Sequence, residues 1–306
     1  MEPILHHHDP SPFGEKIRLI FGVKALHWRS VQLPMTMPRP LLMPLTGGYR
    51  KVPVLQLGAD IYCDTRLIVR VLEQRWPQPP LLQASGGLDL ALGGWSDRAL
   101  FEPGAGLSMA LNEALIPAEV IEDRKQFFNF MDFERLQADI PHLHAQFRAG
   151  LDVLEDMLTD ARDFMLGSRV SYADITTYFA VWMARGNMGI ADQLLGEFPR
   201  LLAWERRMQT IGHGTREECS GEQALQVAAA AESSVEPYVD PADPLQLRVG
   251  QPVCVTPDDY GRIAVSGELL RLTCRDVAIA RQSAEVGRVV VHFPRAGYRI
   301  DVTQDR

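Results

Sequence analysis

Three short stretches of this 306-residue sequence combine residue types that could handle a small anion or a peptide. Ser11-Pro12-Phe13 is the first. A serine followed by a proline suited to the first helical position begins a helix. There the hydroxyl and the helix's open N–H groups face one point in space, so an anion such as a thiolate would gain hydrogen bonds and a favourable dipole. The plainer reading is that Ser11 only caps its own helix. Val52-Pro53 is the second. A proline just before an apolar strand can take a cis peptide and turn the preceding N–H and C=O outward as an unpaired edge, which an extended peptide could join. An ordinary trans proline at a strand start is the alternative. Asp64-Thr65 is the third. A carboxylate and a hydroxyl at the head of a helix could hold a ligand's ammonium and carboxylate together, or could be a plain cap.

The elements that must position these residues are legible around them. Ile4 to His8 is strand-like, and Phe13, Ile17, Ile20 and Phe21 recur at helical spacing until Gly22, which is expected to stop that helix. Trp28 to Leu33 reads as a second strand. Val54 to Leu57 and Asp60 to Cys63 form a tight hairpin across Gly58-Ala59, and Thr65 to Trp76 a helix ending before Pro77. The pattern over residues 1–83 is therefore βαβ followed by ββα. Four prolines make residues 34–46 a poor helix.

Residues 84–232 are helical in pattern. Ile140, Leu143, Phe147, Leu151, Leu154 and Leu158 recur at steps of three and four, which lines one face of a long helix against a bundle core. Ile175, Tyr178, Phe179 and Trp182 do the same for a second helix, and Leu201, Trp204, Met208 and Ile211 for a third. After a proline-marked linker over 233–244, residues 240–306 carry short strand-like runs at 253–256, 263–266, 269–274, 277–280, 288–293 and 298–302. Pro257-Asp258-Asp259 and Arg295-Ala296-Gly297 punctuate them as turns, and the whole suggests a small β-barrel-like accessory module.

Composition narrows the function. A formal net charge of −8 disfavours nucleic-acid binding, which needs a basic face. No apolar run reaches the roughly 18 residues of a membrane span, and no export signal opens the chain, so a cytoplasmic location is expected. Cys63, Cys219, Cys254 and Cys274 lack CxxC spacing and read as free buried thiols in a reducing compartment. His6, His7 and His8 would alternate across a strand, leaving two on one face where a metal needs three or four ligands, so no metal is expected.

Taken together and in order, Ser11 to Leu19, Lys51 to Leu55 and Asp64 to Ile68 resemble the glutathione-binding domain of glutathione transferases. Ser171-Tyr172-Ala173-Asp174-Ile175 is similar to the family's buried capping motif, and Phe198 to Met208 to the helix that follows it. The resemblance spans about residues 3–215. It implies a thioredoxin-like α/β first domain and an all-α second domain, with the small all-β C-terminal module outside the family pattern. It also implies Ser11 at the thiolate, with Phe13 beside it, and Val52-Pro53 as backbone partner of the cysteinyl unit. Asp64 and Thr65, where the family usually has Glu-Ser, would bind the γ-glutamyl group, and Arg39, Arg50 or Lys51 the glycine carboxylate.

The implied activity is a serine-type glutathione transferase, in which glutathione is co-substrate and its thiolate attacks a small hydrophobic electrophile. Phe101, Met109 and Leu111 are candidates to line the electrophile's wall. A homodimer is also implied, with no nucleic-acid or membrane partner. A glutathione-dependent isomerase or dehalogenase would share the same thiolate. The alternative of a different class is a non-catalytic scaffold or binding protein that works through its C-terminal β module.

Overall fold

The computed structural model describes residues 1–82 and 87–303. The expected boundary between 83 and 84 lies outside the described residues. By contacts the chain divides into two compact units, one of Met1–Gly14, Leu26–Val71 and Thr215–Arg306, the other of Glu15–Ala25 and Leu72–Gly214.

The first unit is built on a sheet that opens as the sequence pattern predicts. In chain order to residue 75 the elements are β1 (Ile4–His7), α1 (Pro12–Val23), β2 (His27–Gln32), α2 (Met43–Thr46), β3 (Val54–Leu57), β4 (Asp60–Cys63) and α3 (Thr65–Arg75), of which Glu15–Val23 of α1 and Leu72–Arg75 of α3 belong to the other unit. β1 is buried along its length because it lies between β2, which it pairs in parallel, and β3, which it pairs antiparallel. The β3–β4 hairpin turns where Gly58 adopts φ 64°, a left-handed conformation that glycine takes without a Cβ penalty. α2 is a single four-residue turn, and its Pro44 sits within the first two helical positions, where no intrahelical N–H is required.

The helical unit contains α4 (Leu88–Ala99), α5 (Phe101–Asn112), α6 (Ala118–Phe127), α7 (Ile140–Met157), α8 (Tyr172–Asn187), α9 (Ala191–Gly196) and α10 (Pro199–Gln209). The α8 start is the expected capping arrangement. The Ser171 N–H and hydroxyl donate to Asp174 Oδ2 at 2.9 and 2.8 Å, while Trp204 Nε1 and the Met165 N–H donate to Oδ1 at 2.8 and 2.7 Å. Four donors thus satisfy one buried carboxylate that joins α8 to α10. Gly22 does not end α1, which runs on to Val23. Its place is fixed by packing, since a Cβ there would stand 2.1 Å from the Gly212 carbonyl oxygen.

The chain then returns to the first unit through β5 (Thr215–Glu218), α11 (Gly221–Ala229), β6 (Tyr238–Val239), β7 (Pro252–Pro257), β8 (Val265–Leu272), β9 (Asp276–Ser283), β10 (Gly287–Pro294) and β11 (Tyr298–Val302). These strands continue the first sheet, in the order β11-β7-β8-β9-β10-β4-β3-β1-β2-β5 with β6 beside β8. The C-terminal β module joins through β10, which pairs β4 in parallel. One buried cluster runs through both parts, taking Leu45, Tyr49, Val54 and Ile61 together with Val255, Ile279, Val291 and Phe293. The runs expected at 263–266 and 269–274 are joined in one strand, β8, which passes through Gly267, where a Cβ would meet the Ala280 carbonyl oxygen at 2.6 Å. The cysteines also depart from expectation. Cys63 and Cys219 are buried, but Cys254 is half-buried and Cys274 exposed on the polar turn before β9.

Candidate functional site

Strand register decides which of the expected residues meet. In β1–β3 pairing His6 stands opposite Val54, and in β3–β4 pairing Val54 stands opposite Cys63. The residues just after β1, just before β3 and just after β4 therefore share one end of the sheet. Ser11, Val52-Pro53 and Asp64-Thr65 all fall at that end. The parallel β10–β4 register, His292 opposite Tyr62, sends β10 toward the same end, so the turn into Tyr298 arrives there too. Pro257 pairs with Tyr298, which brings the segment after β7 alongside.

Ser11 is 4% exposed, and its Oγ accepts the Gly14 N–H at 3.0 Å. The cap reading therefore holds. A hydroxyl has one donor as well as its acceptor lone pairs, and among the described residues nothing takes the Ser11 proton, so capping leaves the donor unspent. Phe13 is half-buried in the first turn of α1.

The Val52-Pro53 peptide is cis. The Val52 N–H and C=O have no hydrogen-bond partner among the described residues, although β3 begins two residues later. An edge of this kind offers one donor and one acceptor to an extended ligand.

Asp64 adopts φ 74°, a left-handed conformation that costs a non-glycine residue on the order of 1 kcal/mol. Its carboxylate accepts the Arg66 N–H at 2.9 Å, Arg66 Nε at 3.1 Å, Arg66 Nη2 at 2.8 Å and the Tyr298 hydroxyl at 3.2 Å. Burial alone would push this carboxyl up, but the charge and hydrogen bonds of Arg66, with Lys51 adding, hold it below the usual carboxylate range. Thr65 is buried, and its N–H and hydroxyl have no partner among the described residues.

The three candidate cations behave differently. Arg39 is buried and spends its guanidinium on main-chain carbonyls, Nε on Pro34 at 3.0 Å, Nη1 on Arg50 at 2.6 Å and Nη2 on Met35 at 3.2 Å. It braces the segment before β3. Arg50 is half-buried and supplies one of those carbonyls. Lys51 pairs with Asp259, and its Nζ lies 4.3 Å from the centre of the Tyr260 ring. Asp259, Tyr260 and Tyr298 are the site's neighbours that sequence reasoning missed. Pro257-Asp258-Asp259 showed only as a turn, and which strand end that turn would join depends on the β10–β4 pairing.

The histidines are absorbed by structure. His6 Nε2 donates to Gln56 Oε1 at 2.8 Å, and His7 lies on the other face, 3.1 Å from Ser30 Oγ. Among the described residues no group of three or more His, Cys, Asp or Glu side chains could hold a metal ion. No helix among them is long and apolar enough to cross a membrane.

Comparison with known proteins gives matches over both units. The family model described as "Glutathione S-transferase, N-terminal domain" matches residues 5–80, and "Glutathione S-transferase, C-terminal domain" matches residues 134–207. A crystal structure of a GST-like protein from Pseudomonas syringae is 32% identical, covers 99% of this chain and 99% of its own, and superposes with a TM-score of 0.81. Glutathione S-transferase U4 of Arabidopsis thaliana is 21% identical over 206 residues, which is 66% of this chain and 81% of the relative. A rice transferase solved in complex with glutathione is 20% identical, covers 74% of this chain and 94% of its own, and has a TM-score of 0.51, a likeness of fold.

Proposed function

The chain belongs to the glutathione S-transferase family, and from that premise we propose that it activates the glutathione thiol for attack on a small hydrophobic electrophile. The observation that carries the reading is the gathering, at one end of the sheet, of polar groups left without protein partners: the Ser11 hydroxyl proton, the Val52 N–H and C=O, and the Thr65 N–H and hydroxyl. A scaffold needs none of these unspent groups at one place.

On this reading Val52 pairs with the cysteinyl backbone, and Asp64 and Thr65 receive the γ-glutamyl group. A free thiol with a pKa near 8.5 is only a few per cent ionised at neutral pH, and lowering it by about two units makes the thiolate dominant. Ser11 acts as a donor to the sulfur and never as the nucleophile. The thiol proton passes to solvent. The thiolate then forms a carbon–sulfur bond with the electrophile, whose leaving group departs with the bonding electron pair. The cytoplasm, where thiols stay reduced, and a homodimeric assembly belong to the same proposal.

The test is glutathione-affinity retention, combined with a pH titration of thiolate absorbance in the bound complex. Wild type is retained and shows a bound-thiol pKa about two units below the free value. Ser11→Ala keeps most of the retention but restores the thiol pKa toward 8.5. Absence of retention together with absence of thiol-dependent turnover would overturn the reading.

A further inference from the structure

The C-terminal β module meets Lys51, a candidate site cation, with a carboxylate. Lys51 stands next to Val52 in sequence, and its ammonium is met by a carboxylate from the module, Asp259, with the Tyr260 ring beside it. The lysine side chain is only 11% exposed, whereas that of Asp259 is 45% exposed, so the aspartate covers the cation from the solvent side. The segment that carries it is braced. The Asp258 N–H donates to the Gly297 carbonyl at 3.1 Å, and Arg262 folds back onto the carbonyls of Asp259 and Asp258 at 2.9 and 2.5 Å.

A ligand whose terminal carboxylate is to reach Lys51 must first displace a carboxylate that the protein itself supplies. A ligand ending in a neutral group has no such competitor. We propose that Asp259 is a specificity-determining residue: it occupies the site cation and removes the advantage a free carboxylate would give a glutathione-like ligand. The inference rests on the glutathione reading above, and it gives the C-terminal module a part in ligand choice.

Competition of this kind has a fixed sign. Removing the charge at position 259 unmasks Lys51, so a carboxylate-bearing ligand gains and a neutral one does not. An ion pair with one half-exposed partner is worth up to about fivefold in an equilibrium constant.

The test is a two-by-two calorimetric titration. Glutathione and its C-terminal glycinamide are each titrated into wild type and into Asp259→Asn. Wild type is expected to bind the two ligands within about twofold of each other, and Asp259→Asn to bind glutathione about threefold to fivefold more tightly with the amide nearly unchanged. Asp259→Ser repeats the measurement should the asparagine disturb the turn, and a thermal melt of each variant checks folding. Measurable binding with the same glutathione-to-amide ratio in all proteins overturns this inference alone. Failure of every protein to bind either ligand overturns the glutathione reading, and this inference with it.

Discussion

Tyr298 donates its hydroxyl proton to Asp64 Oδ2 at 3.2 Å and stands 3.1 Å, oxygen to oxygen, from Tyr49. The last strand of the chain is thereby tied to the turn that opens α3, and both are tied to the shared apolar cluster, of which Tyr49 and Tyr298 are members. Burial pushes both phenols well above their ordinary value, with the Asp64 charge adding, while Arg66 holds the Asp64 carboxyl low against the opposing effect of its own burial. Both phenols therefore keep their protons and Asp64 stays ionised at neutral pH. The order of donation is then fixed, from Tyr49 to Tyr298 to Asp64.

A linked pair of this kind should be non-additive. Tyr49→Phe and Tyr298→Phe are each expected to lower stability by about 1 kcal/mol, and the double variant by less than the sum, with a coupling of about 0.5 kcal/mol or more. Urea unfolding of the four proteins completes the cycle. Strict additivity would show that the two hydroxyls act independently, each on water or on another partner.

Acid should act on the first unit in two separate windows. Burial, opposed by the Gln56 hydrogen bond, lowers His6 to about 4 from an ordinary 6.5. The unfolded chain therefore takes up this proton first, and the stability due to a neutral His6 is complete above pH 6.5 and lost as pH falls toward about 4, for a total of ~3 kcal/mol. Asp60 works lower down. Burial would raise its carboxyl, but the hydrogen bond and charge of His292, with Ser233 adding, hold it below the usual range, so its contribution is present above the ordinary carboxylate pKa of about 4 and is lost as pH falls through the depressed folded value. Urea midpoints at pH 7, 4 and 2 separate the two effects. His6→Gln should flatten the change between pH 7 and 4, and Asp60→Asn the change between 4 and 2. A wild-type midpoint that is constant from pH 7 to 4 would contradict the first assignment.

Local pattern carried the sequence reading as far as local causes reach. The hairpin of β3 and β4, the helical stripe from Ile140 to Leu158 and the Ser171–Asp174 cap are each set by residues within a few positions of one another, and each lies where the periodicity puts it. β5 has no such signal. Thr-Arg-Glu-Glu is exposed at all four positions and becomes a strand because the edge of β2 accepts it, Cys219 N–H to Ser30 carbonyl at 2.8 Å closing the pairing. The site was legible to the same degree. Ser11, Val52 and Asp64 announce themselves by type and spacing, but Asp259 and Tyr298 reach them only through the pairing of β10 with β4, a choice between distant strands that no single window of sequence records.

The glycines of the helical unit give the last prediction, because the same substitution should have opposite signs at two positions. Gly22 in α1 and Gly94 in α4 both lie within helices, where alanine is intrinsically better by up to about 1 kcal/mol. At Gly94 an added Cβ meets nothing within 4 Å, so Gly94→Ala should raise the thermal midpoint, by ~0.5–1 kcal/mol of stability. At Gly22 the Cβ would lie 2.1 Å from the Gly212 carbonyl oxygen and 2.7 Å from its carbon. Those are backbone atoms, which cannot swing aside as a flexible side chain can, and overpacking of this kind costs about 1–3 kcal/mol and more where relaxation is blocked. Gly22→Ala should therefore lower the midpoint despite the helix propensity it gains. Thermal unfolding followed by circular dichroism reads both changes, and a stabilised Gly22→Ala would mean that Gly212 does not hold its backbone against α1.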